Sequence, residues 1–366
     1  MFNRYNQEVI RLEKVFLEKY QYSYSGNLTS LVNLPFIELE GDGKDALCWI
    51  IYDQERYLFK PIMEGEYNVW GEIISMMVAK MMNIPCAEYR IASLGNITGV
   101  LSKSFLKKED TLILGTEIYQ RFLNKRKKEV ESLSHHNILK NMSSKSMFYY
   151  LNNLSSTSFI LDYSAISSEQ KVRIEQELSR MLLFDLITLQ GDRHSNNWGI
   201  IFNDNTYRLC PLFDNSASFG LGYPMMKERI ERFRSEKMNA RRFGDNTNIY
   251  SLIYQASPDF TFSEENILDI NKRKKDKIPK VFSLFYQKLD DFSKEKVEAI
   301  LDKFDGDSID LLLKEAEMIS GMKMDEDVFY YIAIVLEMNI CMLKEIIQGL
   351  RRESSNHAVQ KNRKTI

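Results

Sequence analysis

The stretch GDRHSNNWGI at residues 191–200 places several polar side chains between an apolar helix-like segment and an apolar strand-like run. A hairpin is predicted over residues 198–209, because two apolar runs flank an Asn-Asp-Asn turn. This hairpin returns the chain to its starting edge, where PLFDNS at residues 211–216 adds a second carboxylate. Asn197 and Asp214 are therefore predicted to flank the same end of one hairpin.

These polar groups suit phosphoryl transfer, which needs metal ions on the phosphate oxygens and a carboxylate that orients the attacking hydroxyl. Protein kinases supply them with an HRDxxxxN loop and a later aspartate. The interval from Asp192 to Asn197 equals the kinase interval, although His194 here follows the aspartate. A helix-to-strand turn rich in Asp and Asn is the competing interpretation. Such a turn does not require Asp214 as a partner, so the sequence favours a catalytic site.

A cation for nucleotide phosphates is predicted at Lys60, which ends the apolar run YLFKP. A kinase-like lobe carries its ATP-contacting lysine on such a strand. Glu72, on the next predicted helix, is the expected partner of Lys60, and Glu64 and Glu66 in the intervening loop are alternatives. A lysine at a strand end is common, so the interpretation depends on the catalytic residues that follow downstream.

Two further polar residues accompany the predicted loop. His194 is assigned to the catalytic set as a hydrogen-bonding residue that orients Asp192 or a backbone carbonyl, with a surface imidazole as the alternative. Asp185 lies inside the preceding predicted helix, where we expect it to make a local structural hydrogen bond.

The composition is that of a folded chain without a membrane span. Hydrophobic residues make up 44%, charged residues 27% and aromatic residues 12%, and the net charge is −2. A net charge this close to zero gives no electrostatic field that would attract nucleic acid. No run of about 18 apolar residues occurs, so a cytoplasmic location is predicted. The four cysteines form no CxxC pair and are predicted to be reduced core residues. Any bound metal is therefore expected to have oxygen ligands, as Mg²⁺ has.

The order of the apolar patterns predicts an α+β fold with two lobes. Residues 1–107 are expected to form a small α/β lobe with an N-terminal helix and a nucleotide-binding hairpin. Its predicted parts are a helix over 3–20, a mobile Ser/Gly-rich loop over 23–30, a hairpin over 48–60, a buried helix over 68–82, and strands near 88–92 and 99–104.

Residues 108–350 are expected to form the larger lobe, because helical patterns dominate from about Thr111 onward. This lobe carries the catalytic loop and the metal-binding hairpin. A helix over residues 167–190 is predicted to begin at a Ser-Ser-Glu-Gln cap and to end at Gly191. Residues 351–366 are predicted to be a flexible tail.

The sequence resembles the HipA-like serine/threonine kinases, specifically a stand-alone bacterial group with distant similarity to phosphoinositide kinases. The resemblance spans about residues 40–220. It is carried by YLFKP at 57–61, the glutamate of VWGEI at 69–73, GVLSKSF at 99–105, GDRHSNNWGI at 191–200 and PLFDNSASFG at 211–220.

The resemblance implies a two-lobed protein-kinase-like fold that uses ATP and Mg²⁺. It implies that Asp192 is the catalytic carboxylate, that Asn197 and Asp214 bind the metal, and that Lys60, held by Glu72, contacts phosphate. It also implies that the segment Ser104-Phe105-Leu106 meets the adenine where the lobes join. Some relatives autophosphorylate a serine in a mobile loop, and the candidates here are Ser23, Ser25, Thr29 and Ser30.

Three functions stay open. The first is phosphoryl transfer to a protein serine or threonine, with autophosphorylation and with an antitoxin-like regulator as a partner. The second is a lipid or small-molecule kinase, for which the basic residues between Arg229 and Arg242 would supply an acceptor surface. The third is a nucleotide-binding pseudokinase or toxin–antitoxin-like regulatory protein.

Overall fold

The computed structural model describes parts of the chain, which are separated by gaps. The described residues are 29–30, 37–40, 47–52, 55–62, 67–94, 97–118, 167–194, 196–204, 206–222, 228, 230–231, 252–254, 256 and 277–363. The predicted helix over 3–20 lies outside them, as do Ser23, Ser25, Glu64, Glu66 and most of the basic segment from Arg229 to Arg242.

The first lobe is built on a six-stranded sheet with the strand order β1-β5-β6-β4-β3-β2. All neighbouring strands are antiparallel except β1, which runs parallel to β5. The strands are β1 (Thr29–Ser30), β2 (Ile37–Glu40), β3 (Leu47–Tyr52), β4 (Glu55–Pro61), β5 (Tyr89–Leu94) and β6 (Ile97–Lys103). The predicted hairpin is confirmed as β3 and β4, and Lys60 lies near the end of β4 opposite Val100.

Two details of this lobe differ from the sequence prediction. Thr29 and Ser30 belong to a strand that pairs with Ala92 and Ser93, so the predicted mobile loop does not extend to them. The polar composition of residues 23–30 favours a loop. Two residues that pair at the edge of a sheet are too few to show the alternating pattern of a strand.

Helix α1 (Asn68–Met81) crosses from the six-stranded sheet to the second lobe and is buried along most of its length, as predicted. Its C-terminal carbonyl groups receive donors from the second lobe. Arg180 donates to Met82 O at 3.1 Å, and Lys303 donates to Met81 O at 3.0 Å. These cations satisfy carbonyls that a helix end leaves without intrahelical partners. The helix is thereby attached to both lobes.

The second lobe combines a three-stranded antiparallel sheet with long helices. The sheet contains β7 (Thr111–Leu114), β8 (Gly199–Asn203) and β9 (Thr206–Leu209) in that order. The predicted 198–209 hairpin is confirmed as β8 and β9. The prediction that helix dominates from Thr111 is wrong for β7, because this strand forms by pairing with β8, far along the chain.

The helices of this lobe enclose a continuous hydrophobic core that also reaches α1. They are α2 (Ser168–Thr188), α3 (Ile278–Lys288), α4 (Asp291–Leu301), α5 (Gly306–Ser320) and α6 (Glu326–Arg363). Ser167 caps α2 as predicted, since its side chain accepts from Gln170 N. The helix ends at Thr188, before Gly191, because Leu189 adopts a left-handed φ of 53°.

Two further predictions need correction. Helix α6 continues to Arg363, so residues 351–363 are helical where the sequence predicted a flexible tail. Cys210 is buried as predicted, but Cys341 is exposed on α6. The lobe boundary at residue 107 stays a prediction.

Candidate active site

The loop between α2 and β8 is organised by Arg193, whose side chain is fully buried. Arg193 donates to the Asp185 carboxylate, with its shortest N–O distance at 2.9 Å. It also donates to Asn197 O at 3.0 Å, Phe213 O at 2.7 Å and Asn215 Oδ1 at 2.6 Å. One guanidinium therefore holds the predicted catalytic loop and the segment after β9 together.

The electrostatics of this pair show why it is stable when buried. Burial works to lower the pKa of Arg193, but the adjacent Asp185 carboxylate keeps that pKa above its usual value. A buried charge is tolerated when it is paired and its remaining donors are satisfied. The local hydrogen bond predicted for Asp185 is confirmed, and it is part of a buried ion pair.

The predicted catalytic loop brings Asp192 and Asn197 together. Asn197 Nδ2 donates to Asp192 O at 2.8 Å, and the Asn197 side chain is buried. Because the amide nitrogen is used in this bond, the amide oxygen is the atom that could bind a metal. Asp192 is exposed to solvent, so its carboxylate can be reached by an incoming hydroxyl group.

Lys60 reaches across the two lobes to the same site. Lys60 Nζ lies 2.8 Å from Asp214 Oδ1 and 3.6 Å from Glu72 Oε1. The pairing predicted between Lys60 and Glu72 is therefore confirmed, and Lys60 contacts Asp214 as well. Residues separated by 154 positions in sequence form this contact.

The two carboxylates beside Lys60 respond to their surroundings in opposite directions. Burial raises the pKa of Glu72 above its ordinary value, although the charge of Lys60 opposes this change. Burial also works to raise the pKa of Asp214, but Lys60, Arg193 and His194 hold that pKa below its ordinary value. Asp214 is thus kept ionised, as a metal ligand must be.

The backbone of Asp214 and Asn215 is held by side chains from the first lobe. Asp214 N donates to Tyr89 Oη at 3.1 Å, and Asn215 N donates to Glu72 Oε2 at 2.8 Å. Asp214 has a φ of 52°, a left-handed conformation that is unusual for a residue other than glycine. These hydrogen bonds help to maintain it.

Gly71 permits the close approach of α1 to this segment. A Cβ atom at Gly71 would lie 2.5 Å from Ser216 O, inside any normal contact distance. The glycine of the VWGEI stretch therefore serves packing, and it allows its neighbour Glu72 to reach Asn215.

The segment predicted to meet the adenine lies at the junction of the lobes. Ser104 N donates to Arg56 O at 2.8 Å, and Leu106 N donates to Ser104 Oγ at 3.4 Å. The ring of Phe105 lies 5.6 Å, centroid to centroid, from that of Phe213, which directly precedes Asp214. The adenine contact itself stays a prediction.

His194 takes part in the turn of the loop. Its Nδ1 accepts from Asn196 N at 3.2 Å, and its carbonyl oxygen accepts from Asn197 N at 2.9 Å. The imidazole is half-buried and uses this nitrogen to shape the turn. A catalytic role for His194 stays a prediction.

The donor set available to a metal is small. Among the described residues, no group of three His, Cys, Asp or Glu side chains could hold a metal ion. Asp214 supplies a carboxylate and Asn197 an amide oxygen, both of the hard oxygen type that Mg²⁺ prefers. The residues therefore fit a metal whose other ligands come from phosphate and water.

Sequence reasoning missed four residues that hold the site: Arg193 and Asn215 as the two ends of a buried hydrogen bond, Tyr89, and Gln190. Arg193 and Asn215 lie within the recognised motifs, and their polar character next to apolar strands was a usable signal. Tyr89 and Gln190 carry no such signal, because the Asp214 backbone groups that they contact are 125 and 24 residues away in sequence.

No helix among the described residues has the length and hydropathy needed to cross a membrane.

A search of curated proteins found no match to the chain.

Two solved structures resemble the fold. The proinflammatory kinase CtkA of Helicobacter pylori matches with a TM-score of 0.63 at 14% identity, over 90% of this chain and 99% of that chain. A chain of the toxin–antitoxin complex of HipA, HipB and operator DNA from Shewanella oneidensis MR-1 matches with a TM-score of 0.50 at 13% identity. That match covers 91% of this chain and 70% of the other. At these identities the likeness shows a common kinase-like fold.

The family model for the HipA-like C-terminal domain matches residues 43–280, which contain every residue of the site described above. Since this match covers more than half of the chain and the fold agrees with it, the chain belongs to the HipA-like kinase family.

Proposed function

We propose that this protein transfers the γ-phosphoryl group of ATP, with Mg²⁺, to serine or threonine hydroxyls of proteins, including its own. The observation that carries the proposal is the contact of Lys60 with both Glu72 and Asp214, beside the Asp192–Asn197 loop. These groups come from both lobes, and phosphoryl transfer requires all of them in one place.

Asp214 and Asn197 would hold the metal in this proposal. When bound, Mg²⁺ would neutralise charge on the phosphate oxygens. The site is suited to an added cation, since Asp214 is held ionised and a second carboxylate, Glu72, lies on the other side of Lys60. A metal at Asp214 would compete with Lys60 for that carboxylate.

Lys60 would then bind phosphate. Its side chain is 29% exposed, so it can meet a ligand while it stays close to Glu72. Glu72 would keep the ammonium group oriented, because the glutamate is itself fixed by the Asn215 N–H. Asp214 pairs with the same ammonium group that the phosphates would use.

Asp192 would orient the acceptor hydroxyl and receive its proton. Its exposure makes the carboxylate reachable by an acceptor, and its backbone carbonyl is tied to Asn197. Proton transfer to a positioned side chain contributes about 10²–10⁴-fold to rate. Phe105, which packs near Phe213, would form part of the adenine-binding wall with the backbone of Ser104 and Leu106.

A protein hydroxyl is the proposed acceptor because the family is that of HipA-like kinases. One relative in fold was solved with the protein HipB, so we also propose that a HipB-like protein partner regulates this chain.

The proposal is tested by incubating the purified chain with γ-labelled ATP and Mg²⁺, alone and with a generic basic protein. Labelling by Asp192→Asn is expected to fall by about 100-fold or more, because the variant keeps the shape of the loop and loses the base. Asp302→Asn is the matched control, since Asp302 pairs with Lys344 on the surface of the second lobe.

The proposal fails if the wild-type chain transfers no more label than Asp192→Asn. Transfer to phosphoinositide vesicles in place of protein would reassign the acceptor to lipid. ATP binding with no transfer to any acceptor would point to a pseudokinase.

A further inference from the structure

Gln190 is a fully buried polar residue between helix α2 and the catalytic loop. The helix ends where Leu189 turns into the left-handed region, and Gln190 N donates to Asp185 O at 2.9 Å. This turn directs the Gln190 side chain toward the segment that follows β9. A buried amide costs free energy unless its donor and acceptor are both satisfied.

The oxygen and the nitrogen of the Gln190 amide each form a hydrogen bond with a backbone group of a predicted site residue, Asp192 or Asp214. Gln190 Oε1 accepts from Asp192 N at 3.0 Å, and Gln190 Nε2 donates to Asp214 O at 3.3 Å. The orientation of the amide is fixed by chemistry, since a backbone N–H can only donate and a carbonyl can only accept. One side chain thus joins the predicted base to the predicted metal ligand.

The bond to Asp214 has a specific task because Asp214 has a φ of 52°. Its N–H is held by Tyr89 and its C=O by Gln190, so side chains fix both sides of this residue. A residue other than glycine stays in this sparsely populated backbone region only when its surroundings over-determine it. Loss of one of these bonds would let the Asp214 carboxylate move.

We infer that Gln190 is a positioning residue that sets the Asp192 carboxylate relative to Asp214 for phosphoryl transfer; this inference rests on the proposed function. The role requires a donor and an acceptor on one side chain of this length. Glutamate lacks the donor when ionised, leucine lacks both groups, and asparagine is shorter by one methylene.

The test measures kcat, and KM for ATP, at saturating Mg²⁺ for wild type, Gln190→Glu, Gln190→Leu and Gln190→Asn. Displacement of reacting groups by about 1 Å can cost about 100-fold in rate. We therefore expect kcat to fall by about 10- to 100-fold with KM within about threefold, because orientation is lost and ground-state binding is kept.

Asn339→Leu is the matched control. Asn339 is a buried amide on α6 that donates to Leu186 O and Ile187 O, at the same end of α2, without a bond to Asp192 or Asp214. We expect this variant to lower the melting temperature and to leave kcat per folded molecule within about twofold of wild type. Circular dichroism melts supply the folded fraction for every variant.

The inference is overturned if Gln190→Glu and Gln190→Asn keep the wild-type kcat, or if Asn339→Leu loses kcat to the same extent. The two conservative variants decide the matter should Gln190→Leu fail to fold. A wild-type chain that neither binds Mg²⁺–ATP nor transfers label contradicts the proposed function itself, and this inference falls with it. An active wild type with unaffected Gln190 variants contradicts the Gln190 inference alone.

Discussion

Two charged clusters lie side by side in this protein, and they differ in how completely their charges are satisfied. Arg193 and Asp185 are both 0% exposed, and the guanidinium also reaches three further acceptors. Lys60 is 29% exposed and Asp214 is 35% exposed, and Lys60 is shared between Asp214 and Glu72. The first cluster is closed to solvent, and the second is open at Lys60 and Asp214 while Glu72 is buried.

The difference indicates different tasks. A buried ion pair with satisfied donors fixes geometry, and it has no remaining capacity for a ligand. A partly exposed lysine between two carboxylates can exchange Asp214 for a phosphate when a metal binds Asp214, and it can stay close to Glu72 as it does so. Arg193 therefore builds the site, and Lys60 is available to act in it.

The largest effect is expected when the closed cluster is broken. Arg193→Met would leave Asp185 buried without its cation, which costs about 3–5 kcal/mol of unfolding free energy. Urea denaturation followed by circular dichroism measures this loss. Arg173→Met is the control, because the Arg173–Glu177 pair on the surface of α2 is worth at most about 0.5 kcal/mol.

The double variant Arg193→Met with Asp185→Leu sharpens the comparison. It should recover part of the lost stability, since no unpaired charge remains. Activity should stay low, because Asn197, Phe213 and Asn215 have lost their shared donor. An Arg193→Met protein as stable as Arg173→Met would remove the distinction between the clusters.

Loss of Lys60 should change activity more than stability, because Asp214 is partly exposed and burial already raises the pKa of Glu72. Lys60→Met is expected to lower kcat/KM for ATP by about 100-fold or more, because a phosphate contact that forms in the transition state is lost. Lys80→Met is the control, since Lys80 makes an exposed pair with Glu315 at the far end of α1. Steady-state kinetics with γ-labelled ATP measure both, and equal activities would contradict the role of Lys60.

A smaller effect is expected where α1 packs on the Asp214 segment. Gly71→Ala would place a methyl group 2.5 Å from Ser216 O, which costs about 1–3 kcal/mol through overpacking. Gly349→Ala on α6 is the control, because its added Cβ meets nothing within 4 Å, and it should stabilise the chain by about 0.5–1 kcal/mol. Thermal melts distinguish the two, and opposite signs are expected.

The smallest effect is expected at Tyr89. Tyr89→Phe removes the acceptor for the Asp214 N–H, a bond worth about 1 kcal/mol, and also the hydrogen bond between the Tyr89 hydroxyl and the Glu72 carboxylate. The Mg²⁺ concentration for half-maximal activity should rise by about 2- to 10-fold, and kcat should recover at saturating Mg²⁺. Tyr286→Phe, whose hydroxyl pairs with Glu298 among the C-terminal helices, should leave the Mg²⁺ requirement unchanged.

Much of this site follows from local sequence. The Asp192-to-Asn197 interval and the β8–β9 hairpin lie within one short stretch, so their proximity could be predicted without knowledge of the rest of the chain. The likeness of YLFKP and VWGEI to family motifs then placed Lys60 beside Glu72, and the structure brings both to Asp214.

The remaining features depend on contacts that no local pattern encodes. Strand β7 pairs with a strand about 90 residues later in the sequence. Because no local pattern encodes this pairing, the sequence around β7 predicts a helical region instead. Tyr89 and Gln190 could not be singled out from the sequence, because the Asp214 backbone groups that they contact reach them only in the folded chain. Residues 351–363 continue helix α6 although its apolar stripe ends before them, so no amphipathic pattern predicts their helix.

We propose that Asp214 holds Mg²⁺ on ATP while Lys60 turns to the phosphates. Calorimetry of ATP binding, with Mg²⁺ and with a chelator, tests it in wild type and Asp214→Asn. Wild type should bind ATP at least about tenfold more tightly with Mg²⁺, because neutralising the phosphates is worth more than about 1.4 kcal/mol. Asp214→Asn should lose this dependence and bind metal-free ATP at least as well as wild type does, since Asp214 no longer competes for Lys60. Equal binding by wild type with and without Mg²⁺, with no change in Asp214→Asn, would contradict the account.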